Sequence, residues 1–335
     1  MGDLRVGLIG LGAMGRHHAR VIRQTPGMDL VAVADPGGDV HGVAGELAVL
    51  GDVEALIEVG LDAAMVAVPT VHHEQVGLAL AAAGVHTMIE KPIAHSAAAG
   101  QRVADAFSRA GLVGAVGYVE RCNPAILELR RRLAAGELGQ VYQIQTRRQG
   151  PFPARISDVG VVKDLATHDV DLTTFIAGSR YRQVAAQVTH RSGREHEDMV
   201  VATGLLESGV IVNHVVNWLS PMKERTTVVT GERGAFVADT MTGDLTFYAN
   251  GTVPTTWDRV AHFRGVTEGD VVRYALPKRE PLAVEQENFR DAVLGNGADI
   301  VTMAQGVHTL TVIEAILEAA ERGATVALDS VFLNN

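Results

Sequence analysis

Arg5-Val6-Gly7-Leu8-Ile9-Gly10-Leu11-Gly12-Ala13-Met14-Gly15 passes from a short apolar run directly into glycines spaced G-x-G-x-x-G. The run predicts a buried parallel strand. The residues after Gly15 predict a helix to about Gln24, stopped by Pro26-Gly27. A glycine triplet of this spacing carries physical meaning only between a strand and a helix, which is the context here. Gly10 then makes the tight turn, Gly12 lets the main chain approach a pyrophosphate, and Gly15 packs helix on strand. The pyrophosphate would rest on the exposed N–H groups at the helix N-terminus. Gly10, Gly12, Ala13, Met14 and Gly15 are therefore candidate cofactor contacts.

A second apolar run, Leu30-Val31-Ala32-Val33-Ala34, ends at Asp35, twenty residues beyond Gly15. An acidic side chain at that place accepts hydrogen bonds from a ribose 2′-hydroxyl and repels a 2′-phosphate. No arginine follows at once; the next residues are Pro36-Gly37-Gly38. The expected cofactor is NAD, not NADP. Strand and helix then keep alternating. The pattern predicts a helix at 52–58 capped by Asp52, a strand at 63–68, a helix at 72–83 and a strand at 85–89. A helix capped by Ser96 to about Ala110 and a strand at 112–116 follow. Short connections of this kind imply parallel strands with right-handed crossovers. Pro69-Thr70 and Glu90-Lys91-Pro92 close two strands at their carboxyl ends, the edge where a doubly wound sheet binds ligands. Pro69, Thr70, Glu90, Lys91 and His73, on the first turn of the next helix, join the candidate cofactor contacts.

Near Tyr118–Pro124 the pattern changes. A helix carrying Arg130, Arg131 and Arg132 runs to Gly136, and strand-like segments dominate from there: 140–148, 184–190, 199–207, 210–218, 225–230, 235–239 and 245–248. Glu207-Ser208-Gly209 and Asn250-Gly251 read as turns between strands. One helix, 163–176, interrupts this region, and two more, 284–294 and 303–321, lie near the C-terminus. The fold class is α/β: a nucleotide-binding domain over 1–120, and a domain for substrate binding and oligomerisation over 121–335. The second domain reads as a mostly antiparallel sheet with helices to one side.

The formal charge of −10 argues against nucleic acid and anionic membrane as partners, since both need a positive field. The single cysteine, Cys122, excludes an internal disulfide framework and a cysteine-based zinc site. No apolar run approaches the roughly 20 residues of a membrane span. With no signal segment ahead of the first strand, the expected compartment is the cytoplasm.

Only four lysines occur, Lys91, Lys163, Lys223 and Lys278, in a chain that uses arginine almost everywhere else. An isolated lysine in such a chain points to a need for an ammonium, a compact charge whose pKa burial can lower. Farther on, Asp164, His168 and Asp171 are spaced i, i+4, i+7 and would share one helix face. A carboxylate one turn from an imidazole orients the ring and raises its pKa, a preparation for general base work. Asp164 and His168 lack an evident third ligand, so no metal is expected.

With these motifs in place, the sequence resembles the Gfo/Idh/MocA oxidoreductase family. The resemblance covers nearly the whole chain. It rests on Gly10-x-Gly12-x-x-Gly15, on the stretch from Pro69 through His73 and Gly84 to Glu90-Lys91-Pro92, and on Asp164-x-x-x-His168. It implies an N-terminal Rossmann dinucleotide-binding domain and a C-terminal α/β domain with an open-faced sheet. It also implies a catalytic group of Lys91, Asp164 and His168 around the reacting carbinol. Within the family, Gly150-Pro151-Phe152-Pro153 and the stretch Asp158 to Asp171 look like the branch containing UDP-N-acetylglucosamine 3-dehydrogenases. Lys163 departs from the apolar residue expected there.

The reading that follows is an NAD-dependent dehydrogenase oxidising a ring hydroxyl of a pyranose, as a nucleotide sugar at its 3-position. Asn123, Arg148, Arg155 and Thr167 are the further candidate substrate contacts, the arginines because a guanidinium pairs a diphosphate through two parallel hydrogen bonds. The alternatives are a dehydrogenase of a free sugar, inositol or aminosugar, an NAD-assisted glycosidase, and a dinucleotide-sensing protein without catalysis. A homo-oligomer, dimer or tetramer, is expected through the second domain's sheet. Ile211 and Val215 leave that sheet apolar on the face opposite Val210, Val212, Val216 and Trp218.

Overall fold

The first apolar run forms β1 (Leu4–Ile9), buried at every position but one. With β2 (Met28–Ala34), β3 (Val49–Leu50), β4 (Ala63–Val66), β5 (His86–Glu90) and β6 (Gly114–Gly117) it builds a six-stranded sheet of order β3-β2-β1-β4-β5-β6. Every pairing in it is parallel. The crossovers contain α1 (Ala13–Gln24), α2 (Val53–Glu58), α3 (His73–Ala82) and α4 (Ala97–Ala110). Asp52 and Ser96 cap α2 and α4 as expected, accepting from the amides of Ala55 and Ala99. Such caps are worth about 1 kcal/mol each. Strand order reverses between β1 and β4, so the crevice outside their carboxyl ends is where a ligand binds. The structure is a computed structural model and describes residues 2–153, 159–251 and 267–328.

After α5 (Pro124–Ala134), the chain enters a nine-stranded sheet with β7 (Val141–Pro151). Following α6 (Thr167–Ala177) come β8 (Tyr181–Thr189), β9 (Met199–Leu206), β10 (Ile211–Asn217), β11 (Leu219–Gly231), β12 (Gly234–Asp239), β13 (Asp244–Gly251) and β14 (Thr267–Tyr274). The helices α7 (Pro281–Val293) and α8 (Met303–Arg322) precede the last strand, β15 (Val326–Ala327). The sheet order is β14-β13-β12-β11-β7-β10-β9-β8-β15. Neighbours are antiparallel except β7 with β10. Asn250-Gly251, read as a turn, instead stays within β13. Asn250 donates from its amide side chain to the Glu232 carbonyl (2.9 Å), which keeps the strand end in place.

Along the central strands alternate residues face inward: Ile144, Thr146 and Arg148 on β7, Val212, His214 and Val216 on β10, Val200 and Ala202 on β9. The polar members of this face bond to one another. Thr173 Oγ1 lies 2.6 Å from Tyr181 Oη, which lies 2.8 Å from His214 Nε2, and His214 Nδ1 lies 2.7 Å from Thr146 Oγ1. Burial pushes His214 down to about 4, so its ring is neutral and each nitrogen has one hydroxyl partner.

The chain divides into two compact units. The first runs to Val119 and includes Glu280–Glu314; the second takes Glu120–Arg279 and the chain from Ala315 onward. The expected single boundary near 120 therefore becomes two further crossings, because α7 and the first half of α8 return to the first unit. Phe289 on α7 is fully buried in that unit's core beside Leu4, Val6, Met28 and Leu30, with Val293, Leu294 and Ile300 packed against it. Among the described residues, no helix is long and apolar enough to cross a membrane.

Candidate active site

In the first unit the glycine loop has the geometry its spacing predicts. Gly10 has φ +92°, and a Cβ there would lie 2.5 Å from the Ala67 carbonyl oxygen. A Cβ at Gly15 would lie 1.9 Å from the Gly10 carbonyl oxygen, so helix and loop close only without one. Gly12 faces open space instead, and α1 begins behind it with no side-chain cap on its first amides. Ala13 and Met14 form the exposed and half-buried start of that turn. The Asp35 carboxylate fixes the loop from the neighbouring strand. Its Oδ2 accepts from the Leu11 amide (2.8 Å) and its Oδ1 from the Gly37 amide (2.8 Å). Each carboxylate oxygen keeps lone-pair capacity for a ribose hydroxyl. Amides facing an open cradle and an acid at the second strand's end are the donor set that a dinucleotide of the NAD type requires.

At the end of β5 the Lys91–Pro92 bond is cis, and Lys91 is half-buried. Its amide donates to Glu90 Oε2 (3.2 Å), while Glu90 Oε1 pairs with His18 Nε2 on α1 (2.8 Å). The Glu90 side chain is thus turned inward, toward its own unit, and not displayed to a cofactor. His73 is a clear correction. Its Nδ1 lies 2.8 Å from the Pro92 carbonyl and its Nε2 2.9 Å from the Val68 carbonyl, at 1% exposure. Both ring nitrogens are occupied by main chain, so His73 ties the Lys91-Pro92 turn to the end of β4 and has no atom left for NAD. Burial pushes its pKa down against the opposing effect of those carbonyls. Pro69 is exposed and Thr70 half-buried at the adjoining strand end, both on the ligand edge.

In the second unit Asp164 sits on a π-helical turn, Val162–Ala166, that leads into α6. Such turns insert one extra residue into a helix and recur at functional sites. Glu197 organises the turn's start: its Oε1 accepts from the Val162 amide (3.0 Å), and its carbonyl accepts from the Val161 amide (2.9 Å). Asp164 is 6% exposed and His168 is half-buried at the first turn of α6. Asp171 lies farther along α6. It forms a bidentate pair with Arg121 (2.7 and 2.6 Å), deep in the unit, and Arg121 also covers the Phe175 ring.

Three of the expected substrate contacts are buried in the second unit. Asn123 caps α5, accepting from the Ala125 amide (3.0 Å) and donating to the Thr240 carbonyl (3.0 Å). Thr167 is buried at 1% exposure. Arg148, at 3% exposure, donates to Glu120 Oε1 (2.8 Å) and Asp169 (3.1 Å), and Arg225 donates to the same Glu120 oxygen (3.2 Å). Burial opposes the Arg148 charge, but the two carboxylates more than offset it and hold its pKa above the usual range. Nε and Nη1 of the guanidinium are thus spent on carboxylates of its own unit. Arg155 lies outside the described residues. The exposed neighbour is Arg147, 3.8 Å from Glu224. Sequence reasoning also missed His18 and Glu197. Nothing local to either residue reveals its partner, which lies far along the chain.

The signature of the GFO/IDH/MocA oxidoreductase family, NAD-binding Rossmann fold, matches residues 4–118, and that of the GFO/IDH/MocA C-terminal domain matches residues 126–237. The chain is 30% identical over 295 residues to UDP-N-acetylglucosamine 3-dehydrogenase of Acidithiobacillus ferrooxidans, covering 87% of this chain and 88% of the relative. The chain belongs to the GFO/IDH/MocA oxidoreductase family. A second member, the NAD(+)-dependent scyllo-inositol 2-dehydrogenase of Bacillus subtilis, is 31% identical over 193 residues. That match spans about half of each protein, 55% of this chain and 56% of the relative. A solved structure of the Acidithiobacillus ferrooxidans enzyme superposes with a TM-score of 0.83 at 27% identity, over 96% of this chain and 99% of that one. As a member of the family, the chain is an NAD-dependent oxidoreductase. Its open glycine cradle and Asp35 fit that cofactor.

Proposed function

We propose that this enzyme oxidises a ring hydroxyl of a pyranose, carried as a nucleotide sugar and attacked at the 3-position, to the keto-sugar. Bound NAD supplies the two-electron acceptor. The chain's own residues handle the proton and the oxygen. Nδ1 of His168 is buried, so Nε2 takes the hydroxyl proton as the C–H bond gives up its electron pair and the C=O bond forms. Asp164, one turn earlier, steadies the ring as it becomes cationic. The Lys91 ammonium donates to the substrate oxygen as negative charge develops there. The observation that carries this reading is the half-exposed His168 following a buried Asp164 on a π-helical turn, in a chain aligned over 88% of a nucleotide-sugar dehydrogenase.

One observation favours a second substrate class. Burial of Arg148 between Glu120 and Asp169 removes a guanidinium that a diphosphate would need. A free cyclic polyol has no such need, and a scyllo-inositol dehydrogenase is among the relatives. NADH formation with UDP-N-acetylglucosamine, free N-acetylglucosamine and scyllo-inositol, assayed side by side, decides between them. The nucleotide sugar is expected to give the highest kcat/KM. A higher value with the inositol replaces the first reading by the second, and activity with neither overturns both.

The partner we propose is a second copy of the chain. On the outward face of the nine-stranded sheet, Ile211 and Val201 are 54% and 46% exposed. Their cross-strand partners in the β9–β10 ladder are Leu205, opposite Ile211, and Val215, opposite Val201. A sheet covered by helices on one side only buries such a face against another subunit, most simply about a two-fold axis. Sedimentation at micromolar concentration should show a dimer or tetramer; a monomer removes this part of the proposal.

A further inference from the structure

At its far end β7 passes through Gly150 and Pro151 and leads to Phe152, all within the second unit. The paired strand bulges here. Leu219 of β11 lies opposite Pro151 and Glu224 opposite Gln149, so residues 220–223 face Gly150 alone. The exposed Lys223 runs along that glycine, its Cγ 3.6 Å from where a Cβ on Gly150 would lie. Phe152 is held edge-on against the buried Trp218, ring centroids 5.2 Å apart, and the Arg194 guanidinium lies over the Phe152 ring. Arg194 is exposed, on the connection between β8 and β9. Among the described residues neither Arg194 nor Lys223 forms an ion pair. The carboxylates around them are committed elsewhere. Asp198 accepts from the Ser192 amide (2.5 Å) and the Thr189 hydroxyl (3.3 Å), Glu197 from the Val162 amide (3.0 Å), and Glu224 from the Gln149 amide group (2.9 Å). Glu195, next to Arg194 in sequence, is exposed and pairs with neither cation.

The residues that fix this end also fix the turn carrying Asp164. The Glu197 carbonyl and carboxylate accept from the Val161 and Val162 amides at the start of the π-helical turn. The next residue, Asp198, accepts from the Trp218 amide through its carbonyl (2.9 Å), and its carboxylate holds the connection that bears Arg194. β10, which leads into Trp218, packs against the same π-helical turn.

We propose that Arg194 and Lys223 form the subsite for the diphosphate of the nucleotide sugar, with Arg194 as the main contact. This rests on the nucleotide-sugar reading above, and it provides the guanidinium that burial of Arg148 withholds. Contact with Phe152 engages Arg194 through its flat face and restrains it. The N–H rim stays unoccupied, and that is the edge that pairs two phosphate oxygens in parallel. Lys223 adds a point charge on a flexible stem. In a chain of formal charge −10, two cations without an acidic partner give this end of the sheet a local field that favours an anion.

UDP is the probe, because it carries the diphosphate and no pyranose, so calorimetry reads binding without turnover. Saturating NAD keeps the glycine cradle occupied. The unmodified protein is expected to bind UDP, and Arg194→Gln to weaken that binding about tenfold, the scale of one lost charge-assisted contact. Lys223→Gln should weaken it about threefold, as a more flexible single charge. Arg191→Gln removes an equal charge from the same exposed connection and should change nothing. Uridine, which lacks phosphates, should bind all four proteins alike. In turnover, Arg194→Gln should raise KM about tenfold for UDP-N-acetylglucosamine and leave that for free N-acetylglucosamine unchanged. No UDP binding at millimolar concentration overturns the proposal. So does equal weakening by Arg191→Gln, which is a diffuse charge effect, or equal weakening for uridine. The two readings fail separately. If UDP binds through Arg194 but UDP-N-acetylglucosamine is not oxidised, the subsite stands and the proposed reaction falls. If UDP-N-acetylglucosamine is the best substrate while Arg194→Gln changes neither its KM nor UDP binding, the reaction stands and the subsite falls.

Discussion

Replacing His168 with alanine is expected to lower turnover by about 10²–10⁴-fold, the usual consequence of losing one positioned proton-transfer group. Lys91→Ala should act similarly, because the oxygen that gives up its proton to His168 also needs a donor as it becomes negative. Neither side chain belongs to the glycine cradle or to Asp35, so turnover should fall far more than NAD affinity in both variants. Stopped-flow or steady-state NADH absorbance gives the first number and fluorescence titration the second. Turnover near normal in either variant removes that residue from the catalytic group. A matching loss of NAD affinity would mean that the substitution had damaged the cofactor site instead.

The second large effect concerns stability. Arg148→Met should destabilise the protein by about 3–5 kcal/mol, the usual result of removing one partner from a buried ion pair. The cause is specific: Asp169 would be left buried without its cation, and Glu120 would keep only Arg225. Arg147→Met, one residue earlier but 56% exposed and only 3.8 Å from Glu224, should change stability by no more than about 0.5 kcal/mol. Urea midpoints of the two variants check the contrast. Equal shifts would mean that the two arginines share one environment, against the strand's alternation.

That contrast also marks what could be read in the chain. The glycine spacing, the acid at Asp35 and the alternation of strands and helices in the first sheet all depend on residues close in sequence, and all of them formed. Which polar residues would be left over for a ligand depends on partners far away. Arg148 meets Glu120 and Asp169 only once β7, the turn after β6 and α6 come together. Asn123 meets Thr240 only once the start of α5 reaches the end of β12. His73 looked like a ligand-edge residue, and its position was right, but two main-chain carbonyls had the prior claim on its ring. The π-helical turn at Val162–Ala166 has no pattern in its composition that separates it from the α-helix it continues. β14 was missed because Thr267–Tyr274 is largely polar and gains its strand geometry from pairing with β13.

The return of α7 to the first unit also bears on how the protein is made. A ribosome delivers the parallel sheet and its four crossover helices well before it delivers Phe289, yet that ring is fully buried among Leu4, Val6, Met28 and Leu30. The nucleotide-binding core therefore waits, with an open apolar seam, while about 160 further residues of the second unit are synthesised, a matter of roughly ten to thirty seconds at ordinary translation rates of about 5–20 residues per second. During that interval the nascent chain presents the surface a chaperone recognises. A gene fragment ending at Val119 would present it permanently.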